Sequence, residues 1–246
     1  MSVKLEVCID SVASAFAAEK GGAHRLELCG NLAEGGTTPS SGMIQTIQAV
    51  CDLPIMMMIR PRGGDFLYSR MEFAVMERDI EEAKRLKVTG IVIGLLTKDG
   101  KIDKAKAARL IERARPLHVT FHRAFDMTDN PKEAIKALRD LGVDRLLTSG
   151  HEATAPEGTK LIAQLVKNAG KKLSIMPGGG LNADNVAKLV ADTGVTEVHA
   201  TGSHILPSEM EYRNEKIFMG VPGMPEYSLK QTSPDNIKAI LDALSS

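Results

Sequence analysis

The chain has 246 residues, 43% hydrophobic and 25% charged, an ordinary globular mix long enough to bury a sizeable core. Lysine plus arginine balance aspartate plus glutamate at 31 each, so no overall field favours nucleic acid or an anionic membrane surface. No apolar run is long enough to cross a bilayer, Lys4, Glu6 and Asp10 interrupt anything resembling a secretory leader, and three cysteines suit reduced thiols in the cytoplasm.

Short apolar runs alternate with amphipathic stretches along the chain. Strands are expected at 4–9, 25–29, 55–59, 90–94, 118–122, 145–148, 173–177 and 197–200. Helices such as 12–20, 71–87, 105–113 and 131–141 fall between them, the last opening on Asn130-Pro131, a cap followed by a proline in the first turn. Gly90, Gly142, Gly170 and Gly194 stand where helices end. Strict alternation implies parallel strands joined by right-handed crossovers. The length matches the roughly 250 residues of a (β/α)8 TIM barrel, and residues 1–246 read as one such domain. An open doubly wound sheet is the competitor. Against it, the turn after the first strand is Asp10-Ser11-Val12-Ala13, with no Gly-x-Gly-x-x-Gly. The stretch from about 202 to 232 is a long insertion between strand 8 and the last helix. It carries Ile205, Leu206, Ile217, Phe218, Met219 and Val221, which should not sit in water, so it is expected to cover part of the barrel or to form a homo-oligomer contact.

Side chains alternate across a strand, and the face that meets the helices must be apolar. Leu5, Val7 and Ile9 fit that face in the first strand, turning Glu6, Cys8 and Asp10 inward. Leu26 and Leu28 do the same in the second, turning Glu27 and Cys29 inward. Thr120 and His122, and then Glu197 and His199, also point inward, whereas the all-apolar 55–59 leaves the third strand ambiguous. Buried carboxylates need partners, and Arg60 and His122 are the available ones.

These residues support three competing functions. Glu6, Glu27, Arg60, His122 and Asp126 supply an acid, a base and an anion clamp for catalysis on a small phosphate- or carboxylate-bearing substrate. Gly178, Gly179 and Gly180, with Gly202 and Ser203, lie after strands seven and eight, where this fold cradles phosphate. Arg60 or Arg62 would add charge for a small anionic ligand, although such glycines also make plain tight turns. Cys8 and Cys29, inward on adjacent strands about 4.8 Å apart, suit a soft ion such as Cu(I), with Met56, Met57, Met58 and Met176 nearby. There is no Cys-x-x-Cys, and buried cysteine or methionine is commonly a core filler; Cys51 belongs to the opposite end of the barrel and reads as structural. The polar interior also admits a scaffold with no chemistry at all.

The strings Glu6-Val7-Cys8, Arg25-Leu26-Glu27-Leu28-Cys29, Glu34-Gly35-Gly36, Ile59-Arg60-Pro61-Arg62-Gly63-Gly64-Asp65-Phe66, Thr120-Phe121-His122-Arg123-Ala124-Phe125-Asp126 and Leu147-Thr148-Ser149-Gly150 resemble the CutC copper-homeostasis family. So does the later Tyr212-Arg213-Asn214, and the likeness spans essentially the whole chain. The resemblance implies a (β/α)8 barrel, cytoplasmic copper handling and Cu(I) bound at the positions of Cys8 and Cys29, with no catalytic activity implied.

Overall fold

The structure, a computed structural model, describes residues 3–170, 172–220 and 225–245. β1 (Lys4–Ile9) is followed by α1 (Val12–Lys20), whose cap Ser11 accepts from the Ser14 N–H through its side-chain oxygen. The same unit recurs as β2 (Arg25–Leu28), α2 (Ser41–Val50), β3 (Ile55–Met58) and α3 (Arg70–Arg85). It continues through β4 (Gly90–Ile93), α4 (Lys104–Ala114), β5 (His118–Phe121), α5 (Pro131–Asp140), β6 (Arg145–Thr148) and α6 (Thr159–Ala169). β7 (Ser174–Pro177), α7 (Val186–Thr193) and β8 (Glu197–Ala200) complete the series, and α8 (Pro234–Ser245) closes the chain.

Local chemistry explains the starts. Ser69 and Glu72 form a reciprocal capping box on α3, and Asn130 caps α5 by accepting from the Lys132 and Glu133 amides ahead of Pro131. Gly194 ends α7 in the left-handed region, at φ 72°. Gly90 lies beyond the end of α3 and opens the strand expected from residue 90. A Cβ at this first residue of β4 would lie 2.4 Å from Met56 Cε, so its smallness makes room for a lumen side chain.

All eight strands lie parallel in the order β7-β6-β5-β4-β3-β2-β1-β8, and a parallel bridge between Gly178 and His199 joins the two ends. This is the expected TIM barrel, nearly closed. Leu5, Val7, Leu26, Leu28, Val119 and Val198 pack in the shell between strands and helices. Each such side chain contributes about 1.5–3 kcal/mol by leaving water. Cys8, Cys29, Met56, Met58 and Val92 form a separate buried cluster inside the barrel. The ambiguity of the third strand is thereby removed. Glu27 is the register partner of Met56, and neighbours in register point the same way, so Met56 and Met58 face in while Ile55 and Met57 face out.

The long insertion is an arm. β9 (Ser203–Pro207) and β10 (Ser228–Thr232) pair antiparallel, and Thr232 N–H anchors the arm by donating to Ser14 Oγ. Ile205, Tyr212, Phe218, Met219 and Leu229 remain exposed along it, and Val221 lies outside the described residues. Among the described residues no helix is long and apolar enough to cross a membrane.

Candidate functional site

The lumen is filled by three tiers of polar side chains. The lowest uses the first residues of three strands, Arg25, Arg145 and Glu197. Glu197 Oε2 accepts from Arg25 Nη2 and from Arg145 Nε, both at 2.6 Å, and its other oxygen accepts from Ser174 Oγ at 3.1 Å. Arg25 also donates to Glu6. Burial works against the Glu6 carboxylate, but the His199 hydrogen bond and the Arg25 charge outweigh it and hold its pKa down at about 2. The expected partners of the interior carboxylates, Arg60 and His122, are therefore replaced by Arg25, Arg145 and His199. Arg60 and His122 follow the C-terminal ends of β3 and β5, whereas Glu6 sits in register with Arg25 and His199 further down.

The middle tier holds the sulfur. One ligand atom from each of Cys8, Glu27 and His199 lies within 4.8 Å of the others. His199 Nδ1 stands 2.9 Å from Glu6 Oε1, and its Nε2 stands 3.6 Å from Glu27 Oε2. Burial disfavours the imidazolium, yet the Glu27 charge and the hydrogen bonds to Cys8 and Glu6 push its pKa well above the ordinary value. Cys29 Sγ donates to Glu27 Oε2 at 3.8 Å. The Cys8 thiol, hydrogen-bonded to Cys29 and buried near Glu27, is pushed well up. The Cys8 hydrogen bond favours a thiolate at Cys29, but burial and Glu27 prevail and raise it to about 11. Burial also raises the pKa of Glu27, against the pull of His199. With Met56 and Met58 alongside, the tier offers two thiols, two thioethers, an imidazole and a carboxylate. Glu27 Oε1 has no hydrogen-bond partner among the described residues. A soft cation fits this donor set, because it supplies the positive charge that both reluctant thiols need in order to ionise.

The upper tier is the mouth, a cavity of about 460 Å³ whose floor includes Cys8, Glu27 and His199. Arg60 is 4% exposed and lines it. Its guanidinium donates to the carbonyls of Glu34, Gly36 and Gly64 at 2.8–2.9 Å, lies 5.1 Å from the Phe66 ring centre and forms no ion pair among the described residues. Beside it, His122 accepts from the Ala124 N–H through Nδ1 at 3.0 Å. Burial and the Arg60 charge depress its pKa to about 3, so the ring is neutral at physiological pH.

The other sequence-predicted residues divide. Gly179 and Gly180 line the cavity, whereas Gly178 is tied into the sheet by donating to the Thr148 carbonyl. Arg62 turns to the outer rim, where it donates to Glu72 Oε1 and Asp65 Oδ1. Gly202 anchors the start of α8 by accepting from Ser233 N–H and Asn236 Nδ2, and Ser203 begins the arm; neither borders the cavity. Asp126 organises a loop. It takes hydrogen bonds from Thr148, the Ser149 and His151 amides and Arg123 Nε, the last at 2.9 Å. Cys51 is buried in the outer core. Arg25, Arg123 and Lys230 were not anticipated. Arg25 shares the parity of Glu27, a signal available in the sequence; Lys230 reaches the mouth only because the arm folds back over it.

The molecule is thus a (β/α)8 barrel with a sulfur-lined lumen opening onto a basic mouth. The chain belongs to the CutC family, whose pattern it matches over residues 3–204. It is 46% identical to the human copper homeostasis protein cutC homolog over 237 residues, 96% of this chain and 87% of that protein. It is 45% identical over 240 residues to the family protein CutC of Chromobacterium violaceum, covering 98% of this chain and 97% of that one. A crystal structure of CutC from Streptococcus agalactiae superposes with a TM-score of 0.76 at 36% identity, covering 81% of this chain and 98% of that one.

Proposed function

We propose that this protein handles copper in the cytoplasm by binding Cu(I) in the middle tier of its lumen, with Cys8 and Cys29 as the thiolate ligands. The observation that carries the reading is the separate buried cluster of two thiols and two thioethers, set against His199 and Glu27. Soft sulfur donors suit Cu(I) and disfavour hard ions such as Mg(II) or Ca(II). The curated human and mouse relatives carry the name copper homeostasis protein, which agrees with this assignment. Both thiols bind their protons firmly in the free protein, so Cu(I) uptake displaces protons and its affinity rises with pH.

The test is a Cu(I) competition titration against a strong chelator under oxygen-free, reducing conditions. Cys8→Ser and Cys29→Ser should each lose most of the affinity. The double variant should lose little more, because one thiolate alone is a ligand short. Cys51→Ser should titrate like the wild type. Equal uptake by all of these proteins would remove the thiolate site.

A further inference from the structure

The mouth above the sulfur tier has charge and hydrogen-bonding capacity that nothing in the fold uses. Arg60 is a buried cation without a carboxylate partner among the described residues, and its Nε has no hydrogen-bond partner there either. Taking a guanidinium out of water is costly unless an anion accompanies it. Carbonyl dipoles from Glu34, Gly36 and Gly64 hold Arg60 in place but leave its net charge standing. The neighbouring His122 Nε2 is buried without a partner and lines the same cavity.

Three further donors converge from separate elements. The amide of Gly180 in the loop after β7 has no hydrogen-bond partner among the described residues, and Gly179 and Gly180 turn at φ 102° and 75°. A Cβ at Gly179 would come 3.2 Å from Arg123 Nη1, so glycine there lets the guanidinium lie directly over the backbone. Arg123 is fixed by Asp126 through Nε and by Ser149 through Nη2, at 2.9 and 2.6 Å, and Nη1 is left over. Lys230, carried by the arm, lines the cavity and forms no ion pair among the described residues. The one carboxylate in the lining, Glu27, already faces His199 at 3.6 Å.

We infer that the mouth is a binding site for the phosphate group of a small organic phosphate, held by the Gly180 amide, Arg123 Nη1 and Lys230, with Arg60 supplying charge from below. The donor pattern selects phosphate over carboxylate. A carboxylate is best recognised side-on by two parallel N–H groups of one arginine. Here the Nε–Nη2 edge of Arg123 is spent on Asp126 and Ser149, while Arg60 has given three donors to carbonyls and keeps Nε free. What remains is a set of single donors from different directions, which suits a tetrahedral dianion with several acceptor oxygens. The organic part has the remainder of a cavity of about 460 Å³, bounded by Phe66, Leu147 and Leu181.

The experiment is calorimetric titration of the copper-free protein with inorganic phosphate at constant ionic strength, with acetate as the carboxylate arm. Wild type should bind phosphate saturably and at least tenfold more tightly than acetate. Arg123→Gln should weaken phosphate at least tenfold. Lys230→Gln, on the exposed arm, should weaken it about three- to tenfold with an unchanged circular dichroism spectrum, and it decides the matter if Arg123→Gln does not fold. Arg62→Gln, on the outer rim, should bind like the wild type. Absence of saturable phosphate binding, acetate binding as tightly as phosphate, or a folded Lys230→Gln with wild-type affinity would each overturn the inference. Cu(I) affinity of Lys230→Gln should remain that of the wild type, which separates this site from the thiolate site below.

Discussion

His122 makes the fold acid-sensitive by a calculable amount. The ring is 5% exposed, packs 5.0 Å from the Phe66 ring and lies beside the Arg60 cation, so it stays neutral in the folded protein down to about pH 3. In the unfolded chain it takes up its proton near pH 6.5. The unfolded state therefore binds the proton first as pH falls. The stability contribution is intact above 6.5 and is lost progressively towards 3, at about 1.4 kcal/mol per pH unit and about 5 kcal/mol in all. Between pH 7 and pH 4.5 the loss is about 2.5 kcal/mol. His122→Asn keeps an acceptor for the Ala124 N–H but does not titrate. It should be about 1–3 kcal/mol less stable than wild type at pH 7, because it leaves a void. Urea unfolding at a series of pH values should then show this difference shrinking by about 2.5 kcal/mol at pH 4.5. A difference that stays constant from pH 7 to pH 4.5 would refute the buried neutral ring.

Three other perturbations probe the tiers separately. A Cβ on Gly94 would lie 2.1 Å from His122 Cε1 and 2.8 Å from Ala124 Cβ, so Gly94→Ala should cost about 3 kcal/mol, read as a lowered unfolding midpoint. Glu197→Gln leaves Arg25 and Arg145 short of a counter-charge in the lowest tier and should cost about 3–5 kcal/mol, measured by denaturant unfolding at pH 7. The Glu6 carboxylate, held at about 2, adds stability that is present above its unfolded value of 4.5 and fades as pH falls towards 2; Glu6→Gln should remove that part of the acid transition.

The sequence by itself determined the barrel and the facing of its first, second, fifth and eighth strands. Alternation with period two is a local property: once Leu5, Val7 and Ile9 need the helices, Glu6 and Cys8 must enter the lumen whatever happens elsewhere. The same logic placed Glu27, Cys29, Thr120 and His199. It stopped where the pattern was uniformly apolar, at 55–59, and there the register with β2 decided the outcome. Partnership within the lumen was decided only by the tertiary structure. Arg25 meets Glu197 because β8 closes beside β1, and Arg145 reaches the same carboxylate across the interior, contacts separated by 172 and 52 residues. Height mattered as much as facing. Arg60 and His122 point inward, but they sit beyond their strand ends and so line the mouth instead of neutralising Glu6. Arg62, two residues further on, left the site because Glu72 at the start of α3 captured it, and Lys230 joined it because the arm folds back. Periodicity reports the direction of a side chain; closure, register and loop path set which charges come within reach of one another.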